Sequence, residues 1–133
     1  MSKSQRENQS KLVEFQVLNQ GIQNIHNQIK NIDSNLSEFQ ILRNSIEELK
    51  KIDENREIII PLGQGIFVKG RIIEKNNLLN MIGANILIEK DTDGTIANIN
   101  KQIMELANAR KDTEEELNKN VERIRELQKE LNQ

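Results

Sequence analysis

The sequence predicts an α+β fold in which two long helices pair as an antiparallel coiled coil, with two β-hairpins between them. In both terminal parts of the chain, apolar residues recur at alternating intervals of three and four, the heptad spacing of coiled-coil helices. The middle is instead rich in isoleucine and interrupted by glycine, which is typical of short strands. Aromatic residues make up only 2% of the chain, so its apolar surface must be buried along helix seams or against partner chains.

The first helix is predicted within residues 1–55 of a single domain that covers residues 1–133. The seam residues of its unbroken heptad frame are Phe15, Leu18, Ile22, Ile25, Ile29, Ile32, Leu36 and Phe39. The apolar stripe then continues through Leu42, Ile46, Leu49 and Ile52, which predicts a slip of the heptad phase at Arg43. Gly21 is a weak point, because glycine within a helix costs about 1 kcal/mol relative to alanine.

The middle segment, residues 56–91, is predicted to form four short strands in two hairpins, separated by turns at residues 63–65, 75–77 and 83–85. Its strand-forming part, roughly residues 57–90, has about 34 residues, too few for an independent core, and strands with two apolar faces need cover on both sides. We therefore expect this segment to assemble with other chains. The predicted assembly residues are Ile58, Ile59, Ile60, Leu62, Ile66, Val68, Ile72, Leu79, Met81, Ile86 and Ile88. The alternative is a small sheet within the chain that caps the coiled coil.

The second helix is predicted over residues 92–133. Asp91, Thr92 and Asp93 are good N-cap residues immediately before a new heptad frame. The apolar members of that frame are Ile96, Ile99, Ile103, Leu106, Leu117, Ile124, Leu127 and Leu131. Its polar members are Arg110, Thr113 and Asn120. Polar residues at such positions weaken a coiled coil but can fix its register.

Several classes of function are not supported by the residues. The net charge of −2, with no basic stripe, gives no sign of nucleic-acid or membrane-surface binding. Cysteine is absent and His26 is the only histidine, so no metal or cofactor is expected. The glycines of residues 63–65 lack the context of a phosphate loop, and no catalytic constellation can be argued, so we expect no enzyme activity. The polar N-terminus and the lack of cysteine favour a cytoplasmic location.

The middle segment contains two stretches that carry a resemblance to a known family. They are Ile60-Pro61-Leu62-Gly63-Gln64-Gly65-Ile66-Phe67-Val68-Lys69-Gly70 and Ile82-Gly83-Ala84-Asn85-Ile86, the second followed by Glu89-Lys90-Asp91. In these stretches, and in its order of helix, two hairpins and helix, the chain resembles alpha-type subunits of the prefoldin family. Beta-type subunits have one hairpin where this chain is predicted to have two. The short polar N-terminus fits the archaeal form of the family.

The resemblance implies a chaperone that works without ATP. Two alpha-type and four beta-type chains would form a hexamer, with the hairpins joined in a central double β-barrel body shared between subunits. Six coiled coils would extend from that body and capture unfolded client proteins at their tips. The clients would then pass to a group II chaperonin.

The ends of the two helices are the predicted client-binding region. Leu12, Val13, Val17 and Val121 lie outside the heptad seam, so the apolar surface there is wider than a two-helix seam requires. The predicted client-binding residues are Leu12, Val13, Phe15, Val17, Leu18, Ile22, Val121, Ile124, Leu127 and Leu131. The alternative is that these residues only broaden local helix packing, or that the ends fray. A second hypothesis for the whole chain is a scaffold or filament-forming protein.

Overall fold

The computed structural model describes residues 2–132, and its elements follow the predicted order of helix, two hairpins and helix. They are α1 (Lys3–Lys51), β1 (Glu57–Gly63), β2 (Ile66–Arg71), β3 (Asn77–Gly83), β4 (Ile86–Asp91) and α2 (Thr92–Leu131). The prediction of two long helices separated by two antiparallel hairpins is confirmed. The chain divides into a helical unit, residues 2–37 with 105–132, and a hairpin unit, residues 38–104.

The helical unit consists of the first part of α1 and the last part of α2, paired antiparallel. Its register is marked by ion pairs between the helices: Lys11 with Glu130 at 3.3 Å, and Asp33 with Arg110 at 2.7 Å. The heptad residues lie between the helices, as predicted. Those that are buried are Ile25, Ile124 and Leu127. Because the rest of the seam is only half-buried, two helices alone do not enclose it.

Of the polar residues of the predicted second seam, Arg110 and Thr113 form hydrogen bonds. Arg110 donates from Nε to Asp33 Oδ1, and the Thr113 hydroxyl donates to the Ala109 carbonyl at 2.7 Å. Asn120 lies opposite Gly21, where a Cβ atom added to the glycine would be 3.7 Å from the Asn120 amide nitrogen. The hydrogen bonds of Arg110 and Thr113 satisfy polar groups that would otherwise lie unpaired at an apolar seam.

The hairpin unit has its core where the two helices meet the second hairpin. Ile46, Ile96 and Ile99 are buried there, and Leu78 of β3 packs against them. The predicted slip of the heptad phase occurs, but after Ile46 and not at Arg43. Leu49 is half-buried, whereas Lys50, which the strict frame would place on the seam, is exposed. Arg43 itself is half-buried at the seam, whereas the neighbouring Leu42 is exposed. The reason is that an arginine can pack its aliphatic stem at the seam while its guanidinium reaches outward, here donating to Asn100 Oδ1 at 3.2 Å.

The two hairpins are structural copies of each other. Each pairing in the first has a counterpart twenty positions later, so Glu57↔Arg71 corresponds to Asn77↔Asp91. Each register also shifts at the same place, just before Gly63 and Gly83. The copies differ in their turns, since residues 63–65 all have positive φ, whereas in residues 83–85 only Asn85 does, with φ of 62°.

Each hairpin forms its own two-stranded sheet, so residues 2–132 of one chain contain no closed barrel. Within one chain, the small sheet considered as an alternative is present only as two separate two-stranded sheets. Strand β2 also ends earlier than the sequence suggested. Ile72 lies after its last residue, Arg71, and the Ile72 carbonyl accepts a hydrogen bond from the Asn55 amide at 3.0 Å.

The junction between the hairpins and the helices is fixed by hydrogen bonds. Asp91 caps α2, as predicted, because its carboxylate accepts a hydrogen bond from the Gly94 amide at 2.8 Å. The amide and the hydroxyl of Thr92 donate to the carbonyls of Asn76 and Lys75. The Lys75 ammonium in turn donates to the carbonyl of Lys50, in the last turn of α1, at 3.1 Å and to that of Ile52, just beyond the helix, at 2.8 Å. Neither α1 nor α2, as far as they are described, is long and apolar enough to cross a membrane.

Candidate functional site

The two hairpins present an exposed apolar surface, here called the hairpin surface. Of the predicted assembly residues, the exposed ones are Ile59, Ile60, Leu62, Ile66, Val68, Leu79, Met81 and Ile86. Ile58, Ile72 and Ile88 are half-buried. The prediction omitted four further exposed side chains, Phe67, Ile73, Ile82 and Leu87. The signal for three of them was present, since Phe67, Ile82 and Leu87 belong to the same apolar runs.

The structural repeat explains why Ile82 belongs to this surface. Leu62 and Ile82 are the residues without a strand partner at the register shift of each hairpin. A bulged residue of this kind re-aims its side chain and interrupts the pairing of its strand. Leu62 is 66% exposed and Ile82 is 58% exposed. The two hairpins therefore offer equivalent apolar side chains at equivalent positions.

Charge distinguishes the two hairpins from each other. Lys69 and Arg71 of β2 correspond to Glu89 and Asp91 of β4, so the sign of the charge is reversed at both positions. Lys69 also forms an ion pair with Glu57 across the first hairpin at 3.5 Å. The apolar parts of the two surfaces are alike, and their flanking charges are opposite.

The helical unit contains a second exposed apolar region. Leu12, Val13 and Val17, here called the apolar patch, are exposed on α1 by 51%, 59% and 64%. The other predicted client-binding residues on this helix, Phe15, Leu18 and Ile22, are half-buried. The exposed apolar side chains of this region thus belong to the first helix.

The predicted client-binding residues of α2 are placed differently. Val121 and Leu131 are half-buried, and Ile124 is buried. Leu127 is completely buried, with no exposed surface. Ile124 and Leu127 occupy heptad positions between the helices, so they stabilise the pair and are not open to a ligand. Ile124 and Leu127 were predicted among the client-binding residues, and the structure encloses both of them between the helices.

A shallow, open groove follows the apolar patch along the surface of α1. Its volume is about 520 Å³, and we call it the amide groove. The residues that line it are Leu12, Phe15, Gln16, Asn19, Gln20 and Gln23. The sequence prediction included the two apolar members but not the four amides, because polar residues between heptad positions are usually solvated.

Ion pairs join α1 and α2 beside the apolar patch. Arg123 donates from Nε and Nη2 to the two carboxylate oxygens of Glu14, at 2.7 and 3.1 Å. The hydrogen bond from Arg123 lowers the pKa of Glu14 below its ordinary value of 4.5, and that of Arg123 is raised by the same bond. Lys11 and Glu130 add a further pair nearer the helix ends. These bonds fix the register of the region that carries the exposed side chains.

The described residues offer little for metal chemistry. No group of His, Asp or Glu side chains within residues 2–132 is arranged to hold a metal ion. His26 is exposed on α1. The features that remain as candidate sites are therefore the hairpin surface, the apolar patch and the amide groove.

Comparison with known proteins identifies the family. A family model described as prefoldin subunit matches residues 18–133. Prefoldin subunit alpha of Pyrococcus horikoshii is 32% identical over 128 residues, covering 96% of this chain and 86% of the relative. Prefoldin subunit alpha of Thermofilum pendens is 29% identical over 115 residues, covering 86% of this chain and 89% of the relative.

A solved structure supports the same architecture. A chain in the cryo-EM structure of filamentous PFD from Methanocaldococcus jannaschii superposes with a TM-score of 0.72. The match covers 86% of this chain and 94% of that chain, at 18% sequence identity, and so concerns the fold.

The fold and these matches define a chaperone-family subunit built of two helices and two hairpins, and the chain belongs to the prefoldin family. Within that family it is of the alpha type, in agreement with the two hairpins of the structure.

Proposed function

We propose that this chain is the alpha-type subunit of a chaperone that captures unfolded polypeptides without ATP. The observation that supports capture is the apolar patch of Leu12, Val13 and Val17, which stays exposed although the adjoining heptad seam is formed. Exposed apolar side chains grouped on one surface mark interaction sites in soluble proteins. A patch of aliphatic side chains makes few demands on geometry, which suits clients of varied sequence.

The hairpin surface is proposed as the site of assembly. We expect two alpha-type chains and four beta-type chains to join their hairpins in an intersubunit β-barrel body, as the family resemblance implies. The support from this chain is that neither hairpin completes a sheet by itself and both expose edge strands and large apolar residues. Isolated two-stranded hairpins are marginally stable in water, and unpaired edges recruit other strands.

Client capture is tested on the complex reconstituted from this chain and beta-type subunits. The complex is expected to suppress aggregation of a chemically unfolded model protein in the absence of nucleotide. In the variant Leu12→Ser/Val13→Ser/Val17→Ser, suppression should fall while the mass of the complex stays unchanged. A matched control is Ile41→Ser/Met104→Ser, which removes exposed apolar side chains of α1 and α2 in the hairpin unit.

The outcomes separate the parts of the proposal. An intact complex that leaves aggregation unchanged contradicts the chaperone function. Equal loss of suppression in the patch variant and the control contradicts the placement of capture at the apolar patch. Loss of assembly in the patch variant shows that the patch serves subunit contacts instead.

Transfer to a group II chaperonin is the remaining step of the proposal. It rests on the family resemblance, and no residue of this chain is assigned to the contact. The test is to add purified group II chaperonin to the complex loaded with a labelled client. The label should move to the chaperonin without nucleotide, and retention of the label by the complex contradicts hand-off.

A structural scaffold is the second candidate function. It is favoured by the fold match to a protein described as filamentous, and by the opposite charges that flank two otherwise equivalent hairpins. An interface that joins different hairpins of successive copies is heterologous and can produce open filaments. Mass measurement of the isolated chain decides between the two, because long fibres favour the scaffold and a small defined species favours the chaperone subunit.

A further inference from the structure

The exposed side of α1 in the helical unit lacks formal charge over several turns. Residues 15–29 contain no Lys, Arg, Asp or Glu, although charged residues make up 30% of the chain. Most of this run is nevertheless exposed to solvent, including Gln16, Asn19, Gln20 and Gln23. Solvated helix faces are ordinarily covered by charged side chains. The polar surface of this run is built from amides instead.

Of the two paired helices, only α1 has this charge-free run. The paired part of α2 carries charged side chains along its length. They extend from Arg110, which pairs with Asp33, to Glu130, which pairs with Lys11. Between them lies a run of three glutamates, residues 114–116. The charge-free surface is thus confined to the helix that also holds the apolar patch and the amide groove.

Amide side chains have the hydrogen-bonding chemistry of a peptide group. Each offers an NH₂ donor and a carbonyl acceptor, the same pair that every residue of an unfolded main chain offers. A neutral groove is complementary to a neutral ligand, since neither partner must give up the hydration of a charge on binding. Leu12 and Phe15 add apolar contact at the groove.

The spacing of the amides also suits an extended chain. Gln16 and Gln20 are four residues apart on α1, as are Asn19 and Gln23. Four residues advance along a helix by about 6 Å. Peptide groups on one side of an extended strand repeat every two residues, or about 6.6 to 6.8 Å. The spacing of successive amides along the groove therefore matches the spacing of successive peptide groups of a strand. The small difference is within the reach of a flexible glutamine side chain.

We infer that the amide groove binds the main chain of an extended, unfolded client segment through the side-chain amides of α1. The inference rests on the proposed capture function and deepens it, because it names what is recognised. The apolar patch holds client side chains, and the amide groove holds the peptide groups between them. Recognition through the main chain is independent of sequence, and folded proteins, whose peptide groups are already paired, are rejected.

The test compares two peptides that share one side-chain sequence. The first is a short unstructured peptide of leucine, serine and glycine, and the second is the same peptide N-methylated at alternate residues. Methylation removes main-chain donors and leaves the side chains unchanged. Binding of each to the assembled complex is measured by fluorescence anisotropy. The methylated peptide should bind about tenfold more weakly, the loss expected for one or two net hydrogen bonds.

The variant Gln16→Met/Gln20→Met removes amides from the groove. Methionine is unbranched, neutral and similar to glutamine in length and helix propensity, so α1 should keep its structure. The variant should bind the unmethylated peptide about tenfold more weakly and should no longer distinguish the two peptides. Gln40→Met/Asn44→Leu changes exposed amides of α1 at the same spacing in the hairpin unit, and it should behave like the wild type.

Three results would overturn the inference. The first is equal binding of both peptides to the wild-type complex. The second is unchanged or tighter binding of the unmethylated peptide to Gln16→Met/Gln20→Met, which would mean apolar capture alone. The third is an altered mass of that variant complex, which would mean that the groove holds another subunit. If the wild-type complex binds neither peptide and protects no client, the proposed capture function itself is contradicted. That result is distinct from the three above, which concern only the amide groove.

Discussion

Arg123 and Glu14 are 109 positions apart in the sequence and form a two-point ion pair across the helical unit, with bonds of 2.7 and 3.1 Å. The guanidinium and the carboxylate are both planar, so two bonds between them fix their relative orientation. Such a pair therefore specifies the register of the two helices in addition to attracting them. Because Arg123 is also bonded to Glu126 at 3.1 Å, its side chain is held within α2 as well. The pair lies beside the apolar patch, where register decides which side chains stay exposed.

The variant Glu14→Gln is expected to lower the melting temperature slightly. Glutamine keeps the size and helix propensity of glutamate but loses the charge, and exposed ion pairs contribute little to stability. The effect should shrink further at high salt, which screens the wild-type pair. Circular dichroism melts at low and high salt provide the measurement, with Glu7→Gln on an exposed position of α1 as the control. A large loss of helix at both salt concentrations would contradict this account.

Acid should weaken the same contact. The pKa of Glu14 in the folded chain is lowered from 4.5 by its hydrogen bond to Arg123. A lowered pKa contributes stability that is fully present above pH 4.5 and is lost as the pH falls through the folded value. The free energy of unfolding of the wild type should therefore fall below pH 4.5 more steeply than that of Glu14→Gln. Identical pH profiles for the two proteins would show that the pair contributes nothing.

Gly21→Ala is expected to stabilise the helical unit by about 1 kcal/mol, the difference between the two residues inside a helix. The new methyl group would lie 3.7 Å from the Asn120 amide nitrogen, an ordinary van der Waals distance, so no clash offsets the gain. Urea unfolding measures the change. Ser37→Ala, at an exposed position of α1, should give a smaller gain. If capture requires a mobile helix pair, the Gly21→Ala complex should also suppress aggregation less well.

Asp91→Ala is expected to destabilise the chain by about 1 kcal/mol, because the Gly94 amide at the start of α2 loses its acceptor. Asp91→Asn is the matched control, since asparagine is an equally good N-cap residue and removes only the charge. Urea unfolding of the two variants separates the effects. Equal destabilisation by both substitutions would mean that the charge, and not the cap, is responsible.

Leu62→Asp and Ile82→Asp test the equivalence of the hairpins. Each places a charge at the bulge position of one hairpin surface, and burial of an unpaired charge at an interface is strongly unfavourable. Each single variant should lose subunits from one hairpin only, and the double variant should remain a free chain. Native mass spectrometry with beta-type subunits gives the stoichiometry. The control is Ile41→Asp, an exposed isoleucine of α1 outside both hairpins.

The elements of the fold were accessible to sequence analysis because local patterns determine them. The heptad from Phe15 to Phe39 and the cap at Asp91 depend on spacing and on short-range hydrogen bonds, both of which can be read from the residues. The phase at Arg43 could not be read in this way. A hydrophobicity pattern scores arginine by its charge, whereas the structure uses its aliphatic stem at the seam.

The candidate sites were predicted less completely than the elements. Ile124 and Leu127 belong to an apolar end of α2, but only the pairing of the helices shows that they are enclosed. The amides of the groove, such as Gln16 and Gln20, were overlooked because a polar residue off the seam carries no signal of its own. The feature of the sequence that pointed to these amides is the absence of Lys, Arg, Asp and Glu from residues 15–29.

The junction at Asp91 has a mechanical consequence. Strand β4 ends at Asp91 and α2 begins at Thr92, so no loop residue separates sheet from helix. Between α1 and β1, by contrast, residues 52–56 intervene. A twist of the second hairpin is therefore passed directly to the first turn of α2. The first hairpin reaches α1 only through residues 52–56, which hydrogen bonds tie to Ile72 and Lys75. The second hairpin and its helix thus share one continuous backbone, so that the orientation of β4 sets the direction in which α2 begins.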